Sequence, residues 1–495
     1  MQGHNLNFSV GVNAKESKTQ SDVSIYRGFP SGTLNSPAFA EEIMEKPNFT
    51  DNSTRLFGAF ILLNYTYNDI YLLDLSARLD GSSEFGADKK MAPFYSMGTG
   101  INFHNYAFLR DNAIFSRVKL TVTYGQLGKT DFPPYAAKHM YEVLQDYYGT
   151  GNGVFLNYMG NEQLKWERTN STDIKLDLGL LKEMITLKVG WYDKKTIDAI
   201  SDITIPASSG FTVYKDNLGE VQNRGIEIDF RADIIKKKDV ALSLFGNLAH
   251  NKNKILKIAD SMKAYNDLVD SQYADYDFSE FERMDPKYSK TFMKYVEGGT
   301  MTTIWGMRSL GISPTDGKEI YLRPNGTMTY DWNASDQVIL GDTEPSAQGA
   351  FGVNFAYKGF SLYATFMYEW GAQTYNQTLV DKVENIDLMK YNVDKRVLTE
   401  RWNAFGQVTC LKALSDRNEV TRPTSRFVQD NNILDFNSLT LGYDFQQNLV
   451  RKIGLSMLRV QFNMKDIVHL SSVKQERGLS YPFARTFNFT LNASF

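Results

Sequence analysis

The side chains that usually carry chemistry are few in this sequence and badly spaced for it. There are five histidines, His4, His104, His139, His250 and His469, and one cysteine, Cys410. No two histidines make an HExxH zinc signature, and none accompanies a GxSxG nucleophile. One cysteine allows no intrachain disulfide and no thiolate cluster. Gly125-Gln-Leu-Gly128-Lys129-Thr130 resembles the tail of a phosphate-binding loop. Such a loop needs a glycine five positions before Gly128, and Thr123 stands there. The segment also runs into Pro133-Pro134 rather than a helix. The densest oxygen-ligand set is Asp270, Asp275, Asp277, Glu280, Glu282 and Asp285. Ca²⁺ prefers oxygen ligands, but the spacing fits no EF-hand, and a solvated acidic loop is the plainer reading. The aromatic segments Tyr135–Tyr158 and Trp402–Phe405 could stack on sugar rings or a partner, or pack on their own loops. The residues therefore point to no enzyme, no cofactor and no metal centre. What is left to position is binding by loops.

Composition narrows the scaffold. Lys plus Arg is 54 and Asp plus Glu is 57, a net charge of −3. That balance argues against nucleic-acid binding by bulk charge. The longest apolar run, Ala59–Leu63, is far short of the ~18 residues of a membrane helix. Aromatic residues make up 13% of the 495, with 36 glycines and only 13 prolines. This is the composition of β-structure. It suits a barrel facing lipid outside and water inside, and also large soluble β-proteins. Met1–Lys15 shows no basic start, apolar core or cleavage site, so the sequence predicts no signal peptide.

Alternation of period 2 recurs along the whole chain. Phe487, Phe489, Leu491, Ala493 and Phe495 share one face of the last segment, with Thr486, Asn488, Thr490, Asn492 and Ser494 on the other. A strand ~10 residues long is long enough to cross a bilayer. Fourteen such strands are predicted, near Asn5–Lys15, Leu56–Tyr67, Tyr71–Asp80, Phe94–Phe103, Val118–Gly125, Thr169–Gly179, Ile185–Lys195, Val221–Ile234, Val240–His250, Ala347–Tyr357, Phe360–Trp370, Asn432–Phe445, Met457–Asp466 and Arg485–Phe495. At ~10 residues each they leave most of the chain as loop. Short connectors, such as Asn68-Asp69 and Tyr357–Gly359, alternate with long ones, such as Gln126–Lys165, Asn251–Ser346 and Gly371–Asn432. Outer-membrane barrels alternate short periplasmic turns with long extracellular loops in this way. The expected fold is all-β, an antiparallel transmembrane β-barrel.

Seven segments resemble, in order, motifs of the SusC/RagA family of TonB-dependent outer-membrane transporters, typical of Bacteroidetes. The first is Arg78-Leu-Asp80-Gly81-Ser82-Ser83-Glu-Phe85-Gly86. It is followed by Tyr124–Gly128, Asn161–Glu167, Asn217–Glu227, Gly341–Pro345, Ser425–Val428 with Leu439–Tyr443, and Glu476–Pro482 running on to Phe495. Phe487, Phe489, Leu491 and Phe495 also resemble the signal read by the barrel-assembly machinery. The resemblance implies a 22-stranded barrel around a plug domain. It implies a SusD-like surface lipoprotein as partner, and TonB-driven import of oligosaccharide or peptide. Against that pattern, the 495 residues are expected to be the C-terminal part of the barrel, without TonB box or plug, from a truncated or split gene. TonB would then act only through the missing N-terminal part. The competing expectation is a soluble or surface β-protein that binds glycans.

Overall fold

The computed structural model describes residues 3–44, 48–84, 90–110, 112–129, 137–144, 151, 153–162, 164–204, 213–217, 219–259, 262–264, 266–267, 270, 291, 294–388, 390–416, 420–474 and 485–495. Fourteen antiparallel strands form one sheet in strict chain order. They are β1 (His4–Val23), β2 (Asn48–Tyr67), β3 (Tyr71–Ser82), β4 (Met91–Asn102), β5 (Phe115–Lys129), β6 (Glu167–Leu180) and β7 (Ile185–Ile197). They continue as β8 (Gly219–Lys236), β9 (Val240–Ile258), β10 (Ala347–Tyr357), β11 (Phe360–Tyr375), β12 (Val428–Asp444), β13 (Met457–Ser471) and β14 (Thr486–Ser494). Each predicted strand is present. Every neighbour is the next strand in sequence, the up-and-down topology of outer-membrane barrels.

The expectation that most of the chain is loop fails among the described residues, where strands make up 61%. Two causes are visible. Several strands run well past the length a bilayer needs; β1 and β2 are 20 residues each and pair from His4↔Tyr67 to Val23↔Asn48. The long connectors also hold hairpins of their own, such as Met140–Leu144 with Gly153–Tyr158 and Thr303–Gly306 with Val338–Asp342.

The register puts all the apolar alternations on one face. Phe8, Leu63, Leu75, Met97 and Tyr124 lie side by side across β1 to β5. Phe230, Gly246, Phe351, Phe366 and Phe436 continue the belt across β8 to β12. Leu441, Phe462 and Phe489 close it on β14. Rings stack along this belt, Phe351 on Phe366 at 5.1 Å and Phe366 on Phe436 at 4.5 Å between centroids. On β11 the outward residues run from Phe360 to Trp370. That is about 33 Å of strand at ~3.3 Å per residue, and roughly 25 Å of height at the usual tilt, the thickness of an outer-membrane belt.

The opposite face is polar. Lys119, Asp177, Lys188 and Asp229 stand opposite one another across β5 to β8, a ladder of alternating sign. Such cross-strand neighbours reinforce the register. The turns at one end are tight. Asn68 and Asp69 both adopt left-handed φ, 52° and 56°, which suits a two-residue hairpin and these two residue types. Hydrophobic burial is correspondingly scarce inside the sheet and concentrates where loops fold back on it.

The belt predicts a face-dependent cost for charge. Phe366→Arg should destabilise the folded protein in lipid by about 2–4 kcal/mol, and the inward Thr365→Arg by well under half of that. Urea titration of folding into vesicles measures both.

Candidate functional site

The outer ends of the strands carry folded loops, and the sequence motifs are what tie them down. At the outer end of β3, Arg78 Nε donates to both Asp80 carboxylate oxygens, at 2.5 and 2.6 Å. Gly58 on β2 leaves room for this pair; a Cβ there would lie 2.6 Å from Asp80 Oδ1 and 2.7 Å from Arg78 Nη2. Gly81 lies directly against Met91 Sδ. Ser82 is buried and its Oγ accepts from the Glu84 amide at 3.2 Å. Ser83 exchanges two 2.9 Å bonds with the Arg55 backbone, N to O and N to Oγ. Phe85 and Gly86 lie outside the described residues. The motif thus fastens the β3 end to β2.

A second tie joins two motifs distant in sequence. Leu164 and Trp166 are buried against Ala92 and Phe94 on the inner face of β4, the Trp166 ring edge-on to Phe94 at 5.6 Å. Asn161 Nδ2 donates to the Lys215 carbonyl at 3.0 Å. Asn217 Oδ1 accepts from the Lys165 amide at 3.0 Å, and its Nδ2 donates to the Asp198 carbonyl at 2.7 Å. Glu167 Oε2 accepts from the Ile200 amide at 3.0 Å. A third tie lies in the Gly341–Pro345 motif, where Asp342 accepts from the Thr300 and Thr302 hydroxyls at 2.7 and 2.6 Å.

The fourth tie is the most buried. Thr421–Phe427 threads between the loop after β9 and the loop after β11 as a strap, with Thr424 and Phe427 almost fully buried. Its backbone bonds Met307 in both directions, at 3.1 Å each. Arg426 Nη2 reaches Glu319 at 2.7 Å and Glu384 at 2.8 Å, and its Nη1 donates to the Cys410 carbonyl at 2.6 Å. Thr424 Oγ1 donates to Glu319 at 2.6 Å. Burial pushes the Glu319 carboxyl up, but the Arg426 charge and the hydrogen bonds of Arg426 and Thr424 outweigh it and hold it below the ordinary glutamate value of 4.5. Burial likewise opposes the Arg426 charge, and the two carboxylates outweigh it, raising that group. Sequence reading found the motif containing Arg426 but missed its partners Glu319 and Glu384, which sit in loops with no periodicity.

Below this shelf, the inner wall holds a cleft of about 410 Å³ whose lining includes Glu227, Asp229, Asn247, Gln348, Glu369 and Asp435. Its donors and acceptors suit hydroxyl- or amide-bearing solutes. Elsewhere the candidate residues stay apart. His469 Nδ1 meets Asp435 at 2.5 Å, His250 bonds the Ser346 carbonyl at 2.7 Å, and His104 faces the Val118 carbonyl at 3.2 Å. Among the described residues no group of His, Cys, Asp and Glu is placed to hold a metal. Asp270 bonds Lys294 at 2.6 Å, while 271–290, and with them the rest of the acidic run, lie outside the described residues. Trp402 Nε1 packs its loop by donating to the Pro314 carbonyl at 3.2 Å, whereas Phe405 is 82% exposed. Phe487, Phe489, Leu491 and Phe495 are all exposed, the first three on the apolar face of β14. Part of the Tyr135–Tyr158 stretch and all of Glu476–Pro482 fall outside the described residues.

Removing Arg426 strands two buried carboxylates, so Arg426→Met should cost the shelf about 3–5 kcal/mol. The depressed Glu319 contributes stability that is present above its unfolded value near 4.5 and lost as pH falls through its lower folded value. Amide-exchange protection of the strap, taken relative to the intrinsic rate at each pH, should therefore be full above the unfolded glutamate value of 4.5 and fall as the pH drops below it in the wild type. In Arg426→Met the protection should be low throughout.

The comparisons agree with this geometry. A family model described as TonB dependent receptor-like, beta-barrel, matches residues 2–366. The TonB-dependent receptor P3 of Formosa agariphila is 25% identical over 99% of this chain and 51% of its own length. The TonB-dependent receptor SusC of Bacteroides thetaiotaomicron is 25% identical over 90% of this chain and 44% of its own. A solved structure of the RagAB peptide transporter superposes with a TM-score of 0.80 at 21% identity, over 96% of this chain and 50% of that one. The chain spans about half the length of the curated relatives it matches. The match over residues 2–366 covers well over half of the sequence, and the chain belongs to the TonB-dependent receptor β-barrel family of outer-membrane transporters.

Proposed function

We propose that this chain supplies barrel wall and extracellular loops to a SusC-like importer of oligosaccharide or peptide, working with a SusD-like surface lipoprotein and energised through TonB. One observation carries the reading. The wall is crowned by loops that are folded and hydrogen-bonded into a shelf, which a plain diffusion pore does not need. The RagAB structure is described as a peptide transporter, and the motif resemblance implies oligosaccharide or peptide, which supports both substrate classes. In the assembled protein the remaining strands and a plug complete the barrel. Phe487, Phe489, Leu491 and Phe495 serve as the signal for the barrel-assembly machinery, since their face of β14 is apolar to the last residue. The Arg78–Gly86 motif acts as a structural clasp. The alternative, a soluble glycan-binding β-protein, is opposed by an apolar face that recurs on the strands from β1, at Phe8, to β14, at Phe489.

Disruption of the gene in its own bacterium should abolish growth on one class of oligomer, glycan or peptide. Full-length protein should restore growth only when TonB is present, and a SusD-like lipoprotein should copurify with it. Full-length protein that stays monodisperse without detergent and shows no heat-modifiable gel shift would favour the soluble reading.

A further inference from the structure

The short-turn rim differs in charge from the belt above it. The four turns between β6 and β13, residues 181–184, 237–239, 358–359 and 445–456, hold six cations, Lys182, Lys237, Lys238, Lys358, Arg451 and Lys452. Against them stand two anions, Glu183 and Asp239, and Glu183 is already paired with Arg117 at 2.8 Å. All six cations are exposed.

The rim is a fixed frame. The Lys358 amide donates to the Asp239 carbonyl at 3.0 Å, and the Asp444 amide to the Gly359 carbonyl at 2.8 Å. Neighbouring turns are thus bonded to each other as well as to their own strands. The cations also sit at the level of an aromatic girdle. Tyr357, Phe360, Tyr443 and Phe445 are exposed beside them, with Tyr443 edge-on to Phe445 at 4.9 Å. Lys358 Nζ lies 5.4 Å from the Tyr357 ring centre. In the last turn Leu449 and Ile453 are 55% and 66% exposed next to Arg451 and Lys452, while buried Val450 pins the segment.

Amphipathic aromatics mark the bilayer–water boundary, and basic side chains at that level attract anionic headgroups. We propose that this rim is a docking surface for anionic phospholipid headgroups of the periplasmic leaflet. Lys237, Lys238 and Lys358 bind the phosphates, and Tyr357, Phe360 and Phe445 hold the lipid at the glycerol level. Girdle and cations are contiguous, which favours a lipid over a soluble anion. The excess of cations favours a net-negative headgroup over a zwitterionic one.

The test uses full-length protein in neutral-detergent micelles doped equally with phosphatidylglycerol and phosphatidylcholine, with retained lipid counted by native mass spectrometry. Wild type should retain phosphatidylglycerol at least about fivefold over phosphatidylcholine, less so in high salt. Lys237→Gln/Lys238→Gln/Lys358→Gln should bring the ratio close to one with the heat-modifiable band intact. Lys318→Gln/Lys390→Gln, on the outer loops, should leave it unchanged. No preference in the wild type, or a preference that survives the rim substitutions, overturns the proposal. So does displacement of the lipid by equimolar inorganic phosphate, which would assign a free-anion site instead.

Discussion

Backbone hydrogen bonding in a solvent that offers none is the constraint on which this structure depends. Inside a bilayer each amide and carbonyl must find a partner in the protein, and a β-sheet does so only across its strands. From β2 to β13 every strand is paired on both sides, in chain order. Only β1 and β14 keep a side without a neighbour among the described residues. Those two edges must be paired, with each other or with further strands, before the wall can rest in lipid. The register follows from the same constraint. A slip of one residue would turn Phe366 inward and Thr365 outward, exchanging lipid and water faces along the strand.

The paired wall gives the loops something rigid to fold against. Leu164 and Trp166 pack on β4 through Phe94, and the strap passes through Phe427 directly into β12 at Val428. Arg426 lies at that junction. Its two carboxylates come from separate loops, so one guanidinium draws both toward the end of the same strand. A buried ion pair of this kind adds little over a well-packed apolar contact, yet losing one member is expensive. It therefore fixes which loops meet more than how stable the whole becomes. The polar cleft formed by Glu227, Gln348 and Glu369 lies within the wall below.

The fold was largely legible in the sequence because its information is local. Period-2 alternation needs only a strand and two different solvents, and all fourteen strands carried it. Strand length was underestimated where the strand leaves lipid. From Glu16 to Val23, β1 has no apolar face to alternate, yet it stays paired with β2. The loop shelf was not legible in the same way. Arg426 and Glu319 are 107 residues apart, and no local pattern links them. The motifs marked where ties would be but not what they would hold: Asn217 was visible, its bond to the Lys165 backbone was not.

The central claim is that one face of every strand meets lipid and the other water. Cysteine scanning of β11 tests it most directly, with Cys410 replaced by serine in full-length protein reconstituted into vesicles. Fluorophores at 360, 362, 364, 366, 368 and 370 should be quenched by brominated lipid, and those at 361, 363, 365, 367 and 369 should not. Quenching without a two-residue period, or with the opposite phase, would contradict the account.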